Sequence, residues 1–351
     1  MQSQGHGEFF EIGQVLRDHL QNACSGVLKP GSVALVDFPD FGNVGDSAIW
    51  IGERQILRHI GIQTSYTCSV DTYDPYVLSR FLKGSGTVLL SGGGNFGDLW
   101  PRHQELREDI AKRFPRTRLV QLPQSIHFKS VRNLQEAVSV FAKHDDFHLL
   151  IRDRAGLPLA QTISGGRASL SPDAAFQLRP GRRQPAEVDL LFLLRHDQEG
   201  MDYGAIPVRQ LGDLRWEAAD WPADPLTPGH EAGRLRRALK VRARRGRRRI
   251  VRGLSARHST AGVAAWQWDR MAHQRLLGGL QFLQLGRVVI TDRLHGHILC
   301  LITGIPHVFL DNNYGKVSSF ARTWGTESEF ARAADSLEEA VGLARHLLLT
   351  S

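Results

Sequence analysis

The chain has 351 residues, of which 42% are apolar and 23% are charged, an ordinary composition for a globular protein. This length suits two domains of about 150 to 180 residues better than one, and the composition excludes a fibrous or intrinsically disordered protein. The formal charge of +8 is a local property: residues 234–257 hold twelve of the 44 Lys and Arg and no acidic residue, which leaves 32 basic residues against 36 acidic ones.

Cysteine usage and the amino terminus indicate the compartment. Cys24, Cys68 and Cys300 are widely separated and form no C-x-x-C motif, which argues against a disulfide scaffold and a zinc site. The first twenty residues lack a basic start followed by an apolar run, and no apolar stretch has the length of a membrane-spanning helix. We therefore expect a cytoplasmic protein.

In the first half of the chain, short apolar runs alternate with longer amphipathic stretches, a pattern typical of β-α repeats with parallel sheets. Residues 49–60 and 103–114 place apolar side chains three and four positions apart and predict helices. A stretch rich in Pro, Arg and Gly at residues 179–189 predicts a linker. The predicted buried strands are residues 33–38, 87–92, 118–123 and 147–152.

The same pattern recurs after this linker. Residues 295–304 predict a helix between two strands, and residues 336–349 predict a final helix. The final helix begins with a Ser-x-x-Glu capping box, formed by Ser336 and Glu339. The predicted strands of this half are residues 188–195, 287–292 and 307–312.

This two-fold recurrence predicts an α/β protein with two Rossmann-like domains that face one another across a cleft. The predicted domains cover residues 1–178 and 188–335, with the basic segment 234–257 inside the second. Residues 336–351 are predicted to add a C-terminal helix. Ligands of open parallel sheets bind outside the carboxyl ends of the strands, so polar clusters that follow predicted strands are the candidate sites.

The first such cluster, in DFPDFGNVGDSAIW, holds Asn43, Gly45 and Asp46. Its glycines permit a tight turn towards a ligand. The alternative is a structural turn in which polar side chains cap the next helix.

The second cluster, SGGGNFGDLW, contains Gly93, Gly94 and Asn95. Successive glycines let backbone N–H groups approach an anionic ligand closely. The run lacks the Gly-Lys-Ser/Thr of a Walker A loop and the dinucleotide G-x-G-x-x-G motif. A glycine-rich loop with only a structural role is the alternative.

Two further clusters contain histidines. LPQSIHF ends a strand with His127, and a lone histidine is often only a structural hydrogen-bonding group. TDRLHGH at residues 291–297 joins a buried strand to a helix, where an unpaired Arg293 would be costly to bury. Asp292 could neutralise this arginine internally. A glycine between His295 and His297 at the start of a helix instead favours an exposed site for anion binding or proton transfer.

Taken in order, these clusters resemble the polysaccharide pyruvyl transferases, also called ketal pyruvate transferases. The matching pieces are FGNVGDSAIW, SGGGNFGD, LPQSIHF, IRDR, SPDAAF and ITDRLHGHILCLITGIPHVFLDNNYGK, within about residues 33–325. The resemblance weakens between about residues 200 and 285. It implies a two-domain fold similar to the GT-B glycosyltransferases. It also implies transfer of the enolpyruvyl group of phosphoenolpyruvate onto sugar hydroxyls as a pyruvate ketal, with release of phosphate and without a metal or a further cofactor.

The resemblance also implies residue roles. His127 matches the family's histidine in the first domain, and a further donor-binding arginine is placed at Arg195, with Arg152 as the competing candidate. Planar arginines suit the phosphate and carboxylate of the donor, and histidines suit the proton transfers, so His295 and His127 are the predicted catalytic residues. The family's donor-binding Arg-Leu-His motif carries over to Arg293, Leu294 and His295.

Two other classes of function share some of these features. A GT-B nucleotide-sugar glycosyltransferase would also use glycine-rich loops and arginines at helix starts. A non-catalytic protein that binds anions or nucleic acid is suggested by the basic segment, but this segment has few aromatic side chains for base stacking. With a sugar or lipid-linked oligosaccharide as the expected acceptor, residues 234–257 are predicted to bind the anionic inner face of the plasma membrane. A solvated helix face is the alternative.

Overall fold

The computed structural model describes residues 2–82, 86–179, 181, 183–195, 200–222, 261–311 and 313–350. The basic segment 234–257 lies outside the described residues. The strands are β1 (Ser32–Val36), β2 (Gln63–Cys68), β3 (Thr87–Leu90), β4 (Gly93–Gly97), β5 (Leu119–His127), β6 (Phe147–Ile151), β7 (Ala168–Leu170), β8 (Val188–Leu193), β9 (Trp216–Ala219), β10 (Gly286–Thr291), β11 (His307–Phe309) and β12 (Ala331–Ala333). The helices are α1 (Gln2–Val27), α2 (Val44–His59), α3 (Pro75–Phe81), α4 (Pro101–Arg113), α5 (Val131–Phe141), α6 (Leu157–Ser164), α7 (Val208–Leu211), α8 (Ala261–Gln284), α9 (Leu294–Thr303), α10 (Lys316–Trp324) and α11 (Leu337–Thr350), with a 3-10 helix at Ala174–Gln177.

The strands form two parallel sheets. The first has the order β2-β1-β3-β5-β6-β7, with β4 paired to β5, and the second has the order β12-β11-β10-β8-β9. Helices separate most consecutive strands, as the crossovers of parallel sheets require. The α/β class with Rossmann-like parallel sheets is therefore confirmed, whereas the assignment of residues 1–178 and 188–335 to separate domains stays a prediction.

Alternate residues of the interior strand β1 pack into two different hydrophobic cores. Val33 and Leu35 pack into one core and Ala34 and Val36 into the other, because successive side chains of a strand point to opposite faces. The core around Val33 and Leu35 continues into the second sheet, where it includes residues 190–193 and residues 288–290. One apolar core therefore connects the two sheets, and the strands buried on both faces are those that continuous apolar runs predicted.

The glycine-rich run differs from its prediction. The expected strand 87–92 ends at Leu90, and Gly93–Gly97 forms the separate strand β4 beside β5. At Gly97 the backbone has φ +124°, and a Cβ atom would lie 1.7 Å from the carbonyl oxygen of His127. Only a residue without a side chain allows β4 to approach β5 so closely. In turn, β5 continues past the predicted end at residue 123.

Helix starts follow the predicted capping chemistry. Asn43 caps α2, and its side-chain oxygen accepts hydrogen bonds from the N–H groups of Gly45 at 2.8 Å and Asp46 at 3.4 Å. This cap starts α2 at Val44, five residues before the predicted helix. Among the described residues, no helix has both the length and the apolar character needed to cross a membrane.

A buried carboxyl group ties α2 to the glycine-rich run. Glu53 has no exposed surface, accepts a hydrogen bond from the N–H of Gly92 at 2.6 Å and lies 2.8 Å from the hydroxyl oxygen of Ser91. Burial raises the pKa of Glu53 to about 8, and the hydrogen bonds from Gly92 and Ser91 only partly oppose this effect. The group is therefore mostly protonated at neutral pH.

We expect this carboxyl group to make the fold less stable as the pH rises. Its pKa is higher in the folded chain than its ordinary value of 4.5, so the folded state binds the extra proton and stability is lost between these two pKa values. From pH 6.5 to 8, the free energy of unfolding should fall by about 2 kcal/mol. Urea unfolding at several pH values should show this slope of unfolding free energy against pH in the wild type, and a flatter slope in Glu53→Gln. The exposed Glu11→Gln variant should keep the wild-type slope, and equal slopes in all three proteins would contradict the prediction.

Candidate functional site

A cavity of about 740 Å³ lies where the carboxyl ends of strands from both sheets meet. Its lining residues lie on β4 or follow β1, β2, β4 and β6 of the first sheet and β8, β9, β10 and β11 of the second. Ligands of open α/β sheets bind at this edge. The lining residues from the second sheet include Arg195, Asp220, Trp221, Arg293, Leu294 and His295.

His295 lies in the first turn of α9, between a carboxylate and a glycine. Its Nε2 atom is 3.3 Å from Oδ2 of Asp173, the buried residue that caps the 3-10 helix. Its ring packs against the backbone of Gly45, where a Cβ atom would lie 2.3 Å from Nδ1 of His295. Gly45 therefore contributes to the site by leaving the space that the imidazole occupies.

Arg152 shares this carboxylate. It is buried at the end of β6, forms an ion pair with Asp173 and donates hydrogen bonds to Oγ of Ser125 at 2.9 and 3.2 Å. Burial by itself would raise the pKa of Asp173, but the charges of His295 and Arg152 outweigh burial and hold that pKa well below its usual range. One ionised carboxylate thus fixes both a histidine and an arginine at the cavity wall.

Arg293 has a partner other than the one considered from the sequence. Its guanidinium group forms an ion pair with Asp220, which follows β9 and also lines the cavity. Asp292 accepts a hydrogen bond from the backbone N–H of Arg195 at 3.0 Å. Burial raises the pKa of Asp292 to about 6, against the opposing effects of this hydrogen bond and of the charge of Arg293. All five predicted donor-binding residues, from both halves of the chain, line the same cavity.

Four of the six residues predicted in the two loop clusters line the cavity. Asn43 and Asp46 do so at the start of α2, and Gly94 and Asn95 do so on β4. Gly93 is buried behind them with φ +127°, where a Cβ atom would lie 3.4 Å from Oδ1 of Asp46. Asn43 therefore has both of the roles considered for it, since it caps α2 and faces the cavity.

His127 lies beside the cavity, outside its lining. The ring of His127 packs on that of Tyr314, with 4.3 Å between their centroids. The ammonium groups of Lys129 and Lys316 lie 5.7 and 5.6 Å from the centroid of Tyr314, and Lys316 lines the cavity. His127 is thus packed against this aromatic ring outside the cavity lining, and its catalytic role stays a prediction.

A second pair of aspartate and histidine, which was not predicted from the sequence, also lies at the cavity. Nδ1 of His103, a lining residue at the start of α4, lies 2.8 and 3.0 Å from the carboxylate oxygens of Asp37. Because a carboxylate only accepts hydrogen bonds, Nδ1 donates and Nε2 is left as an acceptor in the neutral ring. Asp37 has φ +74°, a strained backbone conformation for a residue with a side chain. The sequence feature that could have indicated this pair is the acidic residue Asp37 near the end of the first predicted strand.

His297 has a structural role and does not line the cavity. It is completely buried, with Nδ1 at 2.7 Å from Nε2 of His307 and Nε2 at 2.8 Å from Oγ1 of Thr326. Burial lowers the pKa of His297 well below its ordinary value, and the neighbouring His307 adds to this effect. The neutral ring joins α9 to β11 and to the loop after α10.

The cavity can bind anions and move protons. Two histidines, His103 and His295, each held by an aspartate, line it together with five cationic side chains. Within the described part of the chain, no group of three His, Cys, Asp or Glu side chains is arranged to hold a metal ion. The five cationic side chains are Arg152, Arg195, Arg293, Lys316 and Arg102, the last of which forms an ion pair with Asp71.

Comparisons with known proteins agree on one family. The family model described as polysaccharide pyruvyl transferase matches residues 43–314. Pyruvyl transferase 1 of Schizosaccharomyces pombe is 30% identical, over 94% of this chain and 78% of that protein. EpsO of Bacillus subtilis, whose name also describes a pyruvyl transferase, is 29% identical over 88% of this chain and 90% of that protein. A crystal structure of an uncharacterized Klebsiella pneumoniae protein shares the fold, with a TM-score of 0.58 at 15% identity, and the match covers 92% of this chain and 99% of that one.

The contact between Gly45 and His295 gives a direct test of the site's packing. In Gly45→Ala the new methyl group would overlap the imidazole, so we expect a loss of about 1 to 3 kcal/mol in the free energy of unfolding. Gly13→Ala is the matched control, because Gly13 lies inside α1 with no atom within 4 Å of an added Cβ. This control should be neutral or more stable by up to about 1 kcal/mol. Equal stability of the two variants in urea would show that His295 does not occupy this position.

Proposed function

Because the chain belongs to the polysaccharide pyruvyl transferase family, we propose that it transfers the enolpyruvyl group of phosphoenolpyruvate to a sugar. The acceptor is an exopolysaccharide or cell-surface glycan precursor, and the product is a cyclic pyruvate ketal on two hydroxyls. The observation that carries this proposal is that the Arg-Leu-His sequence at residues 293–295 opens a helix into the same cavity as Arg152 and Arg195.

The cationic wall of the cavity suits this donor. Phosphoenolpyruvate carries a phosphate and a carboxylate, and the planar guanidinium groups of Arg293, Arg195 and Arg152 can each offer paired N–H donors. The start of α9 adds the positive end of a helix dipole next to Arg293. Asp220 and Asp173 hold two of these arginines in place before the donor arrives.

The histidines suit the proton transfers. The methylene carbon of the donor must gain a proton before C2 can be attacked, and each sugar hydroxyl must lose one. One of the two hydroxyl protons is matched by the proton that turns the methylene carbon into a methyl group, and the other leaves with phosphate. Two C–O bonds form at C2, and the C–O bond to phosphate breaks. We assign the proton transfer at the reacting carbon to His295, which Asp173 orients. His127 is kept as the second histidine of the proposed proton transfers.

The remaining parts of the proposal concern the acceptor and the overall arrangement. We propose that the two sheets close around both substrates as in GT-B-like enzymes, with Asn43, Asp46 and Asn95 on the acceptor side. No cofactor beyond phosphoenolpyruvate as a co-substrate is proposed. Phosphate release with phosphoenolpyruvate and a panel of nitrophenyl and lipid-linked sugars tests this function, and product formed from uridine diphosphate sugars instead would favour a glycosyltransferase.

Two substitutions separate donor binding from chemistry. Arg293→Lys keeps the charge but loses the planar fork, so it should raise the KM for phosphoenolpyruvate more than it lowers kcat. His295→Ala should leave donor binding measurable by calorimetry and lower kcat roughly 10²- to 10⁴-fold. His59→Ala, at an exposed site on α2, should behave as the wild type. A folded His295→Ala protein with near wild-type kcat would disprove the assigned role.

We also propose that residues 234–257 bring the enzyme to an anionic membrane surface, where lipid-linked acceptors are found. Each Lys or Arg near such a surface contributes about 1 kcal/mol. In vesicle sedimentation at low salt, the wild type should bind anionic lipid and a variant with Arg244, Arg245, Arg247, Arg248 and Arg249 changed to Ser should bind more weakly. Neutral vesicles serve as the control, and equal binding of the two proteins to anionic vesicles would refute the proposal.

A further inference from the structure

We propose that Phe41 and Trp100 form a subsite that binds a pyranose ring of the acceptor by its C–H face. This inference rests on the proposed function, since it names the part of the same cavity that takes the second substrate. Phe41 lies in the loop after β1, and Trp100 lies at the start of α4.

Both rings are exposed at the cavity. Phe41 is 41% exposed and Trp100 is 39% exposed, although large aromatic side chains of this protein mostly lie in its cores. Exposed aromatic rings that line a cavity offer apolar surface that a ligand can cover, and this burial favours binding. The ring of His103 lies 6.1 Å from that of Phe41 in an edge-to-face arrangement and adds a polar group beside it.

The cavity has room for a second substrate. Its volume of about 740 Å³ falls in the range that buries ligands of drug size. A three-carbon phosphate ester fills only part of such a volume. The rest must accommodate the sugar whose hydroxyls react.

Two of the cations that line the cavity, Lys316 and Arg152, lie away from Phe41. A Cβ atom at Gly94 would be 3.4 Å from Nζ of Lys316 and 3.7 Å from a terminal nitrogen of Arg152, so these two cations meet at the β6 side of the first sheet. Phe41 follows β1, and β3 and β5 lie between β1 and β6. The two strands are therefore roughly 14 Å apart, at about 4.8 Å for each of three spacings.

This separation matches the chemistry of the two substrates. The anionic donor is attracted to the arginines and the lysine. A pyranose carries no charge, but one face of its ring presents C–H groups that pack on an aromatic face, while its rim of hydroxyls needs hydrogen-bonding partners. Asn43, Asp46 and His103 line the cavity near the aromatic side and can supply them.

The decisive experiment measures sugar binding and turnover in Phe41→Ala and Trp100→Ala. Saturation-transfer NMR without donor, using methyl β-galactopyranoside and methyl β-glucopyranoside, should show transfer to ring C–H protons of at least one sugar in the wild type. The signal should be lost in both variants and largely restored in Trp100→Phe. In turnover, the acceptor KM should rise roughly tenfold for each Ala variant, as expected for loss of one stacked ring, while the KM for phosphoenolpyruvate stays unchanged.

Tyr76→Ala is the matched control, because Tyr76 is 70% exposed at a site outside the cavity lining. It should leave every readout unchanged, and circular dichroism confirms that all variants are folded. Saturation transfer that is absent from the wild type, or equal in wild type and Ala variants, overturns the subsite. Sugar binding that depends on Phe41 and Trp100, without any turnover of phosphoenolpyruvate, would support the subsite and refute the proposed reaction.

Discussion

The ion pairs of Asp173 hold the site together. This buried carboxylate follows the last strand of the first sheet and contacts Arg152 of that sheet and His295 at the start of α9 in the second. Taking a carboxylate out of water is costly, and here the ion pair with Arg152 and the contact with His295 offset the cost. Removal of either partner would leave a buried charge with incomplete compensation, so the relative placement of the two sheets and the position of His295 depend on each other.

Close backbone approach makes this arrangement possible. A Cβ atom at Gly45 would overlap His295, one at Gly52 would lie 2.0 Å from the carbonyl oxygen of Ala174, and one at Gly279 would lie 2.2 Å from Val44. These glycines let α2 pack against the 3-10 helix, α8 and α9 at short distances. The motif Gly-Asn-Val-Gly-Asp thus combines a helix cap, a contact surface for the imidazole and two cavity-lining side chains.

Two of the proposed donor-binding arginines and both cavity histidines are already held by carboxylates. Arg152 has Asp173, Arg293 has Asp220, and the histidines have Asp173 and Asp37. Such pairing fixes the direction of each group in advance, which reduces the ordering needed when substrate binds. The carboxylates also limit the excess of positive charge in a cavity that is empty of anion.

Local sequence determined the elements and the edge of the sheets at which the site lies. Continuous apolar runs predicted β1, β6, β8 and β10, because strands buried on both faces need apolar side chains at every position. The cap at Asn43 and the placement of Arg293 and His295 at the start of a helix also followed from local patterns. The resemblance to a family supplied the reaction, which no periodicity could give.

Tertiary structure alone decided which side chains meet. Arg293 pairs with Asp220, 73 residues away, His295 lies beside Asp173 at a separation of 122, and His103 bonds Asp37 at a separation of 66. These contacts depend on strand order and on helix packing, which bring together loops that are distant along the chain. Periodicity describes only one element at a time. For the same reason the sequence placed His127 at the end of a strand, but only the tertiary structure showed that it packs on Tyr314 outside the cavity lining.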